Sequence, residues 1–89
     1  MAWRIEFDAR AEKELSRIGQ QPAQRILKFL AERLAKTDDP RRLGAALWGT
    51  QLGDFWKYRI GDHRLIASIE DQTGRIVVLR IGHRRDVYR

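Results

Sequence analysis

The chain has 89 residues, 43% of them hydrophobic, no cysteine and a formal net charge of +6. It is long enough for one core in one domain, 1–89, and too apolar to stay disordered; without cysteine, disulfide frameworks, thiolate metal sites and thiol catalysis are excluded. No apolar run approaches about 18 residues, so no membrane partner is expected, and "MAWRIEFDAR" carries charges where a secretion signal needs an apolar stretch, so a cytoplasmic location is expected.

"AWRIEF" alternates, with Trp3, Ile5 and Phe7 on one side and Arg4 and Glu6 on the other, which predicts a half-buried strand. Asp8 offers an N-cap, Ala11, Leu15 and Ile18 recur at helical spacing, and Gly19 is a natural stop, so a helix is predicted over 9–18. Pro22 suits a first helical position, and Ala23, Ile26, Leu27, Leu30 and Leu34 extend an amphipathic helix to about Lys36. The short link between the two helices predicts an antiparallel hairpin. "KTDDPRRLG" breaks the pattern, and 37–53 reads as a loop with room for one short turn.

From Phe55 the period becomes two. "FWKYRI", a tight turn at "GD", "HRLIASIE", a second turn at "DQTG" and "RIVVLRI" form a three-stranded meander. The order is β-α-α-β-β-β. The fold class is therefore α+β, an antiparallel sheet with the helical hairpin on one face. Trp3, Phe7, Trp56 and the leucines of 26–34 read as core; Trp48 reads as a loop anchor or part of an interface.

The other sheet face is left uncovered. Leu65, Ala67 and Ile69 point to the helices, which places Arg64 on the open side; alternation adds Lys57 and Arg59 from the preceding strand and Arg80, then Arg84, from the last. Residues 1–39 hold eight Lys/Arg against seven Asp/Glu, whereas 40–89 hold ten against five, so the charge excess lies in the half that builds this face. A strongly basic face favours a polyanionic partner; the plainer reading is a solvated strand surface.

Arginine grips phosphate with a planar fork, lysine acts as a point charge, and tyrosine stacks or handles a proton. Such a set, with no acidic pair and no metal-ligand group, suits metal-free phosphoryl chemistry on RNA. There the 2′-hydroxyl attacks the adjacent phosphate and cations stabilise the charge that builds on it. Crowded positive charge also lowers a lysine's pKa toward that of a useful base. No metal and no cofactor is expected.

"WKYRIGDHRLIASI" followed by "VVLRIGHRRDVYR", with the lead-in "PRRLG…LWG", resembles the RelE/ParE superfamily of toxin–antitoxin toxins, on the RelE side. The resemblance covers nearly the whole chain and implies the RelE-like fold and a ribosome-dependent mRNA endoribonuclease that cleaves codons in the ribosomal A site. It also implies a cognate antitoxin and a toxin–antitoxin hetero-oligomer. By resemblance, Lys57, Arg64, Arg84 and Tyr88 are the catalytic positions: Arg64 holds the scissile phosphate, Arg84 stabilises the transition state or protonates the leaving group, and Tyr88 stacks on or activates the nucleotide. Arg59, Arg80, His83 and Arg85 are the RNA-binding positions, and His63 is a turn residue. Some relatives carry a second lysine two residues before Lys57, where this chain has Phe55, so the general base falls to Lys57, Tyr88 or His83. The alternatives are a ParE-like gyrase poison that cleaves nothing, and a plain nucleic-acid-binding protein.

Overall fold

A computed structural model describes residues 2–47 and 55–85. The elements are β1 (Arg4–Phe7), α1 (Ala9–Arg17), α2 (Gln20–Phe29), β2 (Ala45–Ala46), β3 (Phe55–Ile60), β4 (His63–Glu70) and β5 (Arg75–His83). A π-helical turn, Leu30–Leu34, continues α2, and a 3-10 turn, Pro40–Leu43, precedes β2. The helices start and stop close to where periodicity and Gly19, at φ 100°, place them. Asp8 occupies the N-cap without a side-chain hydrogen bond.

The five strands form one sheet in the order β1-β5-β4-β3-β2. β3, β4 and β5 make the expected antiparallel meander. Gly61, with φ 60° at the first position of a two-residue hairpin, gives the turn the left-handed residue it requires. Two features depart from the expected antiparallel sheet. β1 joins β5 in parallel, Ile5 facing Ile76, because the two helices carry the chain back across the sheet before the meander begins. Ala45 and Ala46, expected in a loop, pair with Lys57 and Trp56 as a short edge strand.

The core lies between the helices and one sheet face. Ala11, Ile26, Leu30 and Leu34 from the helical side meet Tyr58, Leu65, Ala67, Ile69, Ile76, Val78 and Ile81 from the sheet. The π-helical turn, closed by the Ala35 amide donating to the Leu30 carbonyl at 2.8 Å, keeps Leu30 and Leu34 both buried. No helix among the described residues is long and apolar enough to cross a membrane.

Strict alternation along β5 would turn Val77, Leu79 and Ile81 inward. The structure buries Ile76, Val78 and Ile81 instead. A bulge allows this: Arg80 pairs with Ile66 and Val78 with Ala67, leaving Leu79 as the inserted residue.

Candidate nucleic-acid interface

Register decides which side chains share the open face. Lys57 pairs with Ile66 and Arg59 with Arg64, one rung either side of the buried Tyr58–Leu65 pair. Lys57, Arg59 and Arg64 therefore emerge together, opposite the core. With Leu43, Gly44, Ala45 and Tyr58 they line a cleft of about 420 Å³. Arg59 is exposed. Arg64 is half-buried, and its Nη1 donates to the carbonyls of Gly61 and His63 at 3.2 and 3.1 Å, which folds the guanidinium onto the hairpin turn. Among the described residues neither Arg59 nor Arg64 is ion-paired, although two like charges directly across a strand pair repel.

The wall of the cleft was not apparent from the sequence. Tyr58 donates its hydroxyl to the Pro40 carbonyl at 2.9 Å, and burial pushes its pKa up to about 12, so it keeps the donated proton. Gly44 sits so close that a Cβ there would lie 2.6 Å from the Lys57 carbonyl oxygen and 2.7 Å from the Tyr58 ring. The signal available was "PRRLGAA": a proline to start a turn, then small residues that tolerate close approach. Arg41 fixes the far end of this segment, forking onto Asp71 at 3.1 and 2.6 Å and stacking over Trp56 at 5.9 Å. The hydrogen bonds from Arg41 hold the Asp71 carboxyl below its ordinary range.

The remaining site residues divide. The Arg84 amide donates to the Asp62 carbonyl at 2.9 Å, which docks the end of β5 on the hairpin that carries Arg64, and leaves Arg84 and Arg85 exposed. Arg80 faces Ile66 across the bulge, but its Nε lies 3.2 Å from the Glu14 carboxylate of α1. Glu14 also accepts the Ile81 amide at 2.9 Å, on the β5 edge that β1 has ceased to cover. Arg80 is thus held at the margin, away from the cleft. His83 pairs with His63, on the helix side with Leu65 and Ile81, and the rings meet edge-on at 5.9 Å. His63 lines a hollow with Pro22 and Arg25 of α2. Burial, then the neighbouring His83, lower the pKa of His63. His83 accordingly faces away from Lys57, Arg59 and Arg64. Tyr88 and Trp48 lie outside the described residues.

The family model of the ParE toxin of type II toxin–antitoxin systems, parDE, matches residues 5–88. The chain belongs to the RelE/ParE toxin superfamily. Toxin RelG of Mycobacterium tuberculosis is 29% identical over 89 residues, 100% of this chain and 99% of RelG. A chain of the toxin–antitoxin complex RelBE2 from Mycobacterium tuberculosis has a TM-score of 0.83 at 26% identity, covering 97% of this chain and 95% of that one. A chain of the archaeal RelE–RelB complex from Pyrococcus horikoshii OT3 has a TM-score of 0.74 at 26% identity, covering 98% and 100%. This RelE/ParE toxin therefore keeps the superfamily fold over nearly its full length. It places three bases, Lys57, Arg59 and Arg64, on one cleft.

Proposed function

We propose that this toxin is a ribosome-dependent mRNA endoribonuclease that cleaves A-site codons in the cytoplasm without a metal. The observation that carries this reading is the convergence of Lys57, Arg59 and Arg64 on one cleft, with the end of β5 bringing Arg84 to the same hairpin. In the proposed reaction the RNA 2′-oxygen forms a bond to the adjacent phosphorus and the P–O5′ bond breaks. The 2′ proton passes to a base and the 5′ oxygen takes up a proton. Lys57 is the base the cleft itself offers; Tyr88 is the other, and His83 faces the opposite side of the sheet. The Nε and Nη2 of Arg64, which make no hydrogen bond among the described residues, address the scissile phosphate, where charge accumulates in the transition state. Arg84 acts at the leaving oxygen, and Arg59 and Arg85 hold flanking phosphates.

The two solved relatives named above come from toxin–antitoxin complexes, which supports a cognate antitoxin as the partner that silences this chain. The matching family model is that of ParE toxins, and this favours one second reading, a gyrase poison. Brief induction followed by mapping of mRNA 5′ ends separates the two. Cuts within codons of translated messages, reduced on the order of 100-fold or more in Arg64→Ala and Arg84→Ala, support the nuclease. Growth arrest with intact messages and DNA damage supports the gyrase reading.

A further inference from the structure

Among the described residues, the aromatics Trp3, Phe7, Phe29 and Trp56 pack against the core cluster and Tyr58 lies within it. Phe55 stands outside that packing. It pairs with Ser68 across the strands, so its ring shares the open face with Lys57 and Arg59, opposite Trp56 and Tyr58. Ser68 is too small to cover it. Its backbone is pinned on both sides, by the β4 ladder and by the Leu47 amide donating to the Phe55 carbonyl at 3.0 Å. A half-buried phenyl ring on a rigid platform thus stands about 7 Å along the strand from a lysine on a basic face.

Cations capture phosphates of any sequence, and an aromatic beside them captures what alternates with phosphate along a single strand, a nucleobase. Resting on the reading of the open face as an RNA site, we infer that Phe55 is a positioning residue that stacks on the base next to the phosphate held by Arg64. Stacking is uncharged and indifferent to base identity, so it sets the seating of the nucleotide and leaves the salt dependence of binding to the arginines.

The test uses the full chain, a labelled single-stranded RNA oligonucleotide, and the same oligonucleotide with one abasic residue walked along it. Phe55→Leu keeps an apolar side chain without a stacking face; Phe55→Trp keeps the face. The expected result is a loss of RNA affinity of about 5- to 150-fold in Phe55→Leu, the worth of one stacked base. Recovery in Phe55→Trp and an unchanged salt slope are expected with it. The wild type should lose a similar factor at one abasic position, where Phe55→Leu loses little more; this arm needs no folded variant. Phe55→Leu binding as wild type while Arg64→Ala is weakened overturns the stacking role and leaves the RNA reading standing. RNA binding unaffected in Arg64→Ala overturns both; RNA binding absent from the wild type overturns the stacking role, and the mapping of mRNA 5′ ends then decides the nuclease reading by itself. A loss in Phe55→Leu accompanied by a lower melting temperature, with no abasic effect in the wild type, makes the ring structural and overturns the inference.

Discussion

Arg59 is held against its own charge. It lies directly across from Arg64, is exposed, and has no ion-pair partner among the described residues. A like-charged cross-strand pair is destabilising by about 0.2–1 kcal/mol. Arg59→Thr removes the repulsion and puts a good strand former in its place. For a domain of this size 1 kcal/mol shifts the melting temperature by about 4–8 °C, so the variant should melt about 1–8 °C higher. Its affinity for single-stranded RNA should fall, and the slope of log K against log salt should shrink by about 0.7, one phosphate contact. Thermal melts and fluorescence anisotropy from low to high salt measure both quantities. Arg75→Thr is the control of opposite sign: Arg75 bridges Glu70 and Glu6, so its loss should lower the melting temperature without changing the salt slope. A drop in the melting temperature of Arg59→Thr would refute the repulsion, and an unchanged salt slope would refute the assignment of Arg59 to phosphate.

Tyr58→Phe keeps the ring and deletes the hydroxyl that reaches Pro40; the melting temperature should fall by the equivalent of about 1–2 kcal/mol, and no change would mean the cleft wall is held by other contacts. Glu14→Ala strands the Ile81 amide and the largely buried Arg80 together and should cost about 1–3 kcal/mol, whereas Glu14→Gln should cost less; equal losses in urea titrations would count against the edge-capping role. His63 has a folded pKa below its ordinary 6.5, because burial, then His83 and Arg25, oppose its protonation while Asp62 favours it, so the unfolded chain binds the extra proton. Stability should therefore be level above about pH 6.5 and fall as pH drops below it, and His63→Gln should flatten that fall in melts from pH 5 to 8. Identical profiles would remove His63 from the account.

Much of the fold was legible in the sequence because period and punctuation agreed. Gly19, Gly61 and Gly74 all adopt positive φ at the breaks where the elements were expected to end. Other features depended on information that periodicity does not carry. Parallel pairing of β1 is a long-range choice made by the helices between the strands. Ala45 and Ala46 are too short and too plain to signal a strand and pair only because β3 offers an edge. The bulge at Leu79 reverses the inward set along β5, and alternation holds no warning of it. The open-face set of Lys57, Arg59 and Arg64 was readable because β3 and the start of β4 carry no such irregularity.

Parity alone could not separate the bases of that face by role; their carboxylates do. Arg75 is held by Glu70 and Glu6, Arg4 by Glu6, and Arg80 by Glu14, all toward β1 and β5. Toward β3 the pattern changes, and Arg59 and Arg64 face each other on one rung with no ion-pair partner among the described residues. The next rung, Tyr58 and Leu65, is buried on the other side. Burying each of those side chains contributes about 1.5–3 kcal/mol, against a repulsion of about 0.2–1 kcal/mol between the arginines. The sheet therefore wins and holds the two arginines on one rung before any anion arrives. A bound phosphate would then relieve a repulsion already present in the fold, so part of its binding energy resides in the strand register itself.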